Sequence, residues 1–232
     1  MELFYLPNLD APHLLLVDDQ LRHAVKVLRK RAGDIISVTD GRGQVFRCEL
    51  THIDRREAAL EIVEKQKVDR PGCRITIAMA LTKNIKRIEW AIEKMTEMGI
   101  YRFVPLIMKR SERDTMNHGR MEKIMVSAMK QSQQLFLPLL EDVVSFRAFL
   151  DSIDSSSTKL IGHKAEDSAV IKDNYTAGSD VTFLIGPEGD FTNDELEMAR
   201  EAGFAQVILG NTRLRTETAA VAAVAYIHAL NS

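Results

Sequence analysis

The chain has 232 residues, 45% hydrophobic and 28% charged, with a net charge of −2, ordinary values for a folded soluble protein of one large or two modest domains. No apolar run approaches the roughly 20 residues of a membrane span, and Met1-Glu-Leu-Phe-Tyr-Leu-Pro7 is acidic where a signal peptide is basic, so a cytoplasmic location is expected. Cys48 and Cys73 are the only cysteines, and neither sits in a CxxC or beside paired histidines, which argues against a disulfide framework and against a zinc or other metal site. The small net charge conceals a gradient: residues 1–70 are neutral, residues 71–130 carry 12 basic and 6 acidic side chains, and residues 131–232 carry 7 basic and 15 acidic. Such asymmetry fits a polyanionic partner held by one part of the surface, or a solvated face whose counter-charges lie elsewhere.

In chain order, residues 1–70 read mostly as strands. A helix is expected over Asp19–Lys30, with Leu21, Ala24, Val25 and Leu28 facing inward and Arg22, Lys26 and Arg29 forming a basic stripe on the other face. Asp34–Asp40, Val45–Leu50 and Ala58–Val63 alternate or cluster β-formers, with Asp40-Gly-Arg-Gly43 as a hairpin turn. This portion reads as a small β-barrel-like module that ends near Lys67-Val-Asp-Arg-Pro-Gly72, whose Pro-Gly pair marks a linker. From Arg74 onward the rhythm changes. Apolar strands are expected at Ile75–Leu81, Phe103–Met108, Leu160–His163, Val181–Ile185 and Val207–Leu209, with helices between most of them. The helix Ile85–Met98 buries Ile88, Ile92 and Met95 and stops at Gly99; another over Met116–Gln134 buries Met121, Ile124, Met125 and Ala128. Ser155-Ser-Ser157 reads as a loop. Thr192-Asn-Asp-Glu195 is a capping box that starts a helix ending at Gly203, and an alanine-rich helix runs from Thr216 to Leu230. Near-continuous apolar strands alternating with helices indicate an α/β domain with a parallel sheet covered on both faces, over residues 73–232.

The chemistry concentrates in the last fifth. Val181–Phe191 and Val207–Ala220 each place a short apolar run before glycine, then charged and hydroxyl residues, then a helix, which is how a parallel sheet builds a ligand crevice at the carboxyl ends of its strands. In Gly186-Pro-Glu-Gly189 glycine admits close backbone approach and proline preorganises the loop. No Gly-Lys-Ser follows, so this is not a phosphate loop for a nucleoside triphosphate. In the second loop Arg213 and Arg215 flank Leu214, and Thr216, Glu217 and Thr218 follow. Arg215 suits an anionic or enolate-like oxygen; the alternative is a capped helix with a surface ion pair. The stripe Arg22, Lys26, Arg29 and the cluster Lys83, Lys86, Arg87, Lys109, Arg110, Arg113 offer phosphate contacts or are ordinary solvated cations. His23 and His163 read as local hydrogen-bonding residues.

At these motifs the sequence resembles the RsmE-type 16S ribosomal RNA uracil-N3 methyltransferases, of the SPOUT class. The matching residues are Gly186-Pro-Glu-Gly-Asp-Phe191, Leu209-Gly210 and Arg213-Leu-Arg-Thr-Glu-Thr-Ala219. Upstream, His23-Ala-Val-Lys-Val-Leu-Arg29 with Gly33-Asp34 is similar to the family's N-terminal signature, and Glu93-Lys94, Glu97-Met-Gly99, Pro105-Leu106, Lys109-Arg-Ser111 and Gln131-Ser132 match in order. There are departures: Gly189-Asp190 stands where the family has a double glycine, Lys109-Arg-Ser111 where it has Glu-Arg-Ser, and Gln133-Gln-Leu135 where Gly-Arg is common.

The resemblance implies a trefoil-knotted C-terminal α/β domain, an N-terminal PUA-like β-barrel over residues 1–70, and a homodimer formed through the knotted domain. It implies S-adenosyl-L-methionine held by Leu184, Ile185, Gly186, Pro187, Glu188, Gly189, Leu209, Gly210, Leu214, Arg215, Thr216 and Thr218. Arg215 and Glu217 are then the catalytic candidates, Arg215 stabilising charge on uracil and Glu217, or water, taking the N3 proton. RNA contacts are expected from Arg22, His23, Lys26, Arg29, Lys83 and Arg110. The implied activity is methylation of uridine N3 in 16S ribosomal RNA of the small subunit. Alternatives are a related enzyme acting on transfer RNA or a ribose 2′-oxygen, and a non-catalytic RNA-binding assembly factor.

Overall fold

The three β-forming stretches of the first seventy residues pair into one sheet, and the apolar runs after residue 73 pair into another. The structure is a computed structural model and describes residues 2–9, 13–70, 72–153, 156–164 and 169–232. Pro71 of the expected linker and Ser155 of the expected serine loop lie outside the described residues. The chain folds as two compact units, one of Met1–Arg70 with Met129–Leu137 and a second of Pro71–Ala128 with Pro138–Ser232.

In the first unit, β1 (Leu3–Tyr5), β2 (Leu14–Val17), β3 (Ile35–Thr39), β4 (Gln44–Ile53) and β5 (Glu57–Lys67) form a sheet in the order β1-β3-β4-β5-β2. The β1/β3 pair is parallel and the others are antiparallel. Alternation along β4 buries Phe46, Cys48 and Leu50 against Phe4, Leu16 and Val38, each side chain contributing on the order of 1.5–3 kcal/mol when fully buried. Burial pushes the Cys48 thiol up to about 11. The outer edge of β1 meets a side chain: Gln20 accepts from the Tyr5 amide at 2.9 Å and donates to its carbonyl at 2.8 Å. That amide stands where another strand would bond, and it covers an edge open to mispairing.

The expected helix Asp19–Lys30 is shorter and irregular. An α-helical turn, α1 (Asp18–Arg22), passes into a π-helical turn over His23–Val27, closed by the Leu28 amide on the His23 carbonyl at 3.0 Å. Arg29 follows in the left-handed region at φ 56°. A π turn breaks the 3.6-residue phase, so Arg22, Lys26 and Arg29 do not line up as the α-helical stripe that their spacing suggests. The hairpin turn after β3 is as expected: Asp40 Oδ1 accepts from the amides of Arg42 and Gln44 at 2.7 and 3.1 Å. At Gly43, φ is 89° and a Cβ would fall 2.5 Å from both the Phe136 ring and the Val68 carbonyl, so only glycine fits. The Gly43 amide bonds the Leu135 carbonyl at 3.0 Å and the Leu137 amide bonds the Gly41 carbonyl at 2.8 Å, which is why residues 129–137 belong with this unit.

The second unit runs β6 (Ile75–Ala80), α2 (Ile85–Glu97), β7 (Arg102–Ile107), α3 (His118–Gln131, whose last three residues count with the first unit), β8 (Leu139–Leu140), β9 (Val144–Ser145) and α4 (Phe146–Ser152). It continues through β10 (Thr158–Gly162), β11 (Ala169–Val170), α5 (Ile171–Asn174), β12 (Val181–Ile185), α6 (Asn193–Glu201), β13 (Ala205–Ile208) and α7 (Thr216–Leu230). The sheet is parallel throughout, in the order β11-β13-β10-β12-β6-β7-β8, with β9 also on β7. Every residue of β12 is buried, the mark of a strand covered on both faces. The Thr192–Glu195 capping box is present at α6. α7 packs on α2 and β6 through Ala220, Ala223, Val224 and Ile227. Its outer face is also apolar, with Ala225, Tyr226 and Ala229 exposed. No helix among the described residues is long and apolar enough to cross a membrane.

Candidate functional site

The parallel arrangement sets β10, β12 and β13 side by side, so their carboxyl ends open together. There they form a cavity of about 560 Å³, within the usual range for small-molecule sites. Gly162, His163 and Lys164 supply the end of β10, Ile185–Glu188 and Asp190 the loop after β12, and Val207–Gly210 with Thr212–Thr216 and Ala219 the loop after β13 and the start of α7. Two contacts join the loops: Thr216 Oγ1 donates to the Gly186 carbonyl at 3.0 Å, and Arg213 Nη2 to the Glu188 carbonyl at 3.0 Å. A Cβ at Gly186 would meet the Phe191 ring at 2.8 Å, so the loop can lie this close only as glycine.

Of the twelve residues expected to hold a cofactor, Ile185, Gly186, Pro187, Glu188, Leu209, Gly210, Leu214, Arg215 and Thr216 line this cavity. Leu184, Gly189 and Thr218 do not. Leu184 is fully buried within β12, and the Gly189 carbonyl turns to Arg110. Thr218 is exposed; successive helical residues lie about 100° apart, and Ala219 presents the face that Thr218 was expected to supply.

Arg215 is the N-cap residue of α7, is exposed on the cavity wall, and its guanidinium has no ion-pair or hydrogen-bond partner among the described residues. Glu217 lies elsewhere. It is 6% exposed, off the cavity, with Oε1 3.6 Å from Arg87 Nε and Oε2 buried without a hydrogen bond. Arg87 Nη1 also lies 3.6 Å from Glu188 Oε1, so this guanidinium, expected among phosphate contacts, sits between the carboxylates of Glu188, in the loop after β12, and Glu217, in the first turn of α7.

Residues outside the expected set complete the cavity. His163 Nδ1 is 3.3 Å from Asp190 Oδ1, and the imidazole meets Phe191 edge-on with ring centroids 6.3 Å apart. The signal was present: Gly162-His163 repeats the pattern of apolar strand, glycine and polar residue seen in the other two loops, but which strands neighbour one another is not written in that pattern. Asp190 occupies the left-handed region at φ 63°, where a glycine has no strain, and its Oδ1 accepts from the Phe191 amide at 2.8 Å.

The expected RNA contacts are mostly engaged within their own units. In the first unit Arg22 pairs with Asp19 at 2.8 Å and His23 with Glu2 at 2.7 Å, while Lys26 and Arg29 are exposed. In the second unit Lys83 pairs with Glu112 at 2.8 Å, and that carboxylate raises the Lys83 ammonium above the ordinary lysine range. Arg110 Nη1 donates to the Gly189 carbonyl at 2.6 Å. Among the described residues no group of three or more His, Cys, Asp or Glu side chains is arranged to hold a metal ion.

Apolar walls from Ile185, Val207, Leu209 and Leu214, faced by the cations Lys164, Arg213 and Arg215 and by two backbone loops, suit a ligand with a flat apolar part and polar groups. Comparisons with known proteins agree with this architecture. Residues 69–228 match the family model for an RNA methyltransferase domain, and residues 16–63 match that for an RNA methyltransferase PUA domain. The chain is 30% identical over 220 residues to the ribosomal RNA small subunit methyltransferase E of Rickettsia conorii, covering 94% of this chain and 90% of that protein. A probable rRNA-methyltransferase from Porphyromonas gingivalis superposes with a TM-score of 0.95 at 38% identity, covering 100% and 98% of the two chains. The ribosomal RNA small subunit methyltransferase E of Neisseria gonorrhoeae, crystallised bound to S-adenosyl methionine, superposes with a TM-score of 0.88 at 31% identity, covering 99% and 98%. The chain belongs to the RNA methyltransferase family, among the ribosomal RNA small subunit methyltransferase E proteins.

Proposed function

We propose that this protein is an S-adenosylmethionine-dependent methyltransferase that modifies N3 of a uridine in the 16S ribosomal RNA of the small subunit. One observation carries the reading: the loops after β12 and β13 build one cavity with a guanidinium, Arg215, on its wall that has no partner among the described residues. It is supported by the likeness to a relative crystallised with that methyl donor. In this reading Ile185–Glu188, Leu209, Gly210, Leu214 and Thr216 hold the donor, which when bound supplies an electrophilic methyl carbon on a sulfonium.

The rest falls to the chain. Neutral uracil N3 is a poor nucleophile because its lone pair is shared with the flanking carbonyls. Loss of the N3 proton spreads negative charge onto O2 and O4. Arg215, with the positive end of α7 behind it, favours that anion. The walls hold the base in line and exclude water. Glu217 lies off the cavity and is tied to Arg87, so proton loss to water is the reading this geometry favours. The uridine enters unstacked, as bases in RNA must to present N3. Of the expected RNA contacts in the first unit, Lys26 and Arg29 are exposed and left to meet phosphates.

The same reading includes a knotted course for the second unit, a cytoplasmic location, and a homodimer. The apolar outer face of α7 supports the dimer: beside it an apolar hollow lined by Val170, Ile171, Ile208, Tyr226 and Leu230 exposes Tyr226 at 45%. The test is to incubate small ribosomal subunits from cells lacking the protein with labelled S-adenosylmethionine and map the label. A single labelled uridine carrying 3-methyluridine is expected. Label on a ribose 2′-oxygen, on transfer RNA alone, or nowhere overturns the proposal.

A further inference from the structure

The backbone carbonyls of the loop Gly186–Phe191 are all engaged from inside the protein. Gly186 accepts from Thr216, Pro187 from the Asp190 amide at 3.0 Å, and Glu188 from Arg213. The remaining three converge on one group. Arg110 Nη1 lies 2.6 Å from the Gly189 oxygen, 3.5 Å from that of Asp190 and 3.3 Å from that of Phe191. The methylene stem of Arg110 packs under Gly189, where an added Cβ would fall 3.2 Å from its Cδ.

The neighbours of Arg110 are fixed as well. The Lys109 amide donates to Glu195 Oε1 at 2.8 Å, the same carboxylate whose Oε2 closes the α6 capping box. The Ser111 hydroxyl accepts from the Met108 amide at 3.0 Å. Every residue of Lys109-Arg-Ser111 thus faces the loop, the start of α6 or its own turn. Arg110 also meets the part of the loop that most needs holding, because Asp190 is a non-glycine residue in the left-handed region.

We infer that Arg110 is a positioning residue for the cofactor loop, bracing residues 189–191 from outside the cavity so that 186–188 keep the shape that grips the methyl donor, and that it is not an RNA contact. The inference rests on the proposed function only for the identity of the ligand. A charge-assisted hydrogen bond at this distance is among the stronger single contacts in a protein. Its loss is expected to weaken cofactor binding on the order of 10-fold or more.

The test measures S-adenosylmethionine affinity by calorimetry, and RNA affinity over a salt series, for the full-length chain and its Arg110→Ala and Arg110→Lys variants. Arg110→Ala should lose cofactor affinity by that factor while RNA affinity and its salt slope stay unchanged. Arg110→Lys, whose ammonium reaches one carbonyl, should recover part of the loss. Amide exchange across 186–192 in the ligand-free protein should speed up in Arg110→Ala. Unchanged cofactor affinity overturns the inference, as does a flattened salt slope for RNA or an unchanged exchange rate. Failure of the unsubstituted protein to bind S-adenosylmethionine refutes the proposed ligand instead, and the exchange experiment still decides the brace.

Discussion

Thr216→Val tests whether the two loops act as one site. Thr216 is 5% exposed, and its hydroxyl donates to the Gly186 carbonyl at 3.0 Å across the gap between the loops. Valine keeps the shape and removes the donor, leaving a half-buried carbonyl facing a methyl group. A lost hydrogen bond costs about 1 kcal/mol net, and more where the remaining partner stays buried, so about 1–2 kcal/mol is expected here. The Arg213 contact to the Glu188 carbonyl persists, so the loops loosen without parting. If both loops grip the donor, that energy appears in its Kd, which rises about 5–30-fold by calorimetry. Thermal unfolding should shift down by about 2–8 °C. A Kd within about twofold of the original, alongside the expected fall in Tm, would show that the loops bind independently and refute the reasoning.

Two further outcomes are expected. Arg215→Ala should lower methyl transfer about 10²–10³-fold while sparing donor affinity, since its guanidinium faces the developing charge; unaltered turnover removes it from the chemistry. Because burial holds the folded Cys48 thiol at about 11 against 9.0, the unfolded chain loses its proton first as pH rises. The stability that this proton gives is therefore present below pH 9 and lost on the way to about pH 11. A pH series of denaturant midpoints should fall across that window, and less steeply in Cys48→Ala, and an alkylating reagent at pH near 8 should modify half-exposed Cys73 before Cys48.

The parallel sheet was legible because strands buried on both faces are continuously apolar, as in Val181–Ile185, and because glycine and the Thr192 capping box mark where helices stop and start. The two-residue strands Leu139–Leu140, Val144–Ser145 and Ala169–Val170 were not legible, since two residues carry no period. Nor was the π turn at His23–Val27, which changes hydrogen-bond register without changing composition. At the site, glycine and arginine marked the two loops. The third wall, at Gly162–Lys164, depends on strand order, and the true partners of Arg110 and Glu217 lie 79 and 130 residues away in sequence. Adjacency along the chain does not give direction: of Thr216, Glu217 and Thr218 only Thr216 lines the cavity.

The pairing of β6 with β12 joins Ile75 to Val181, and the first unit takes in Met129–Leu137. Closing contacts between such distant stretches costs loop entropy before any burial repays it. On a ribosome, then, the amino-terminal sheet emerges long before residues 129–137 arrive to meet its Gly41–Gly43 turn. β6 in turn waits beside β7 with one bare edge until β12, early in the last quarter of the chain, has been translated. Nascent protein is thereby open to mispairing along that edge while about a hundred residues between β6 and β12 are made.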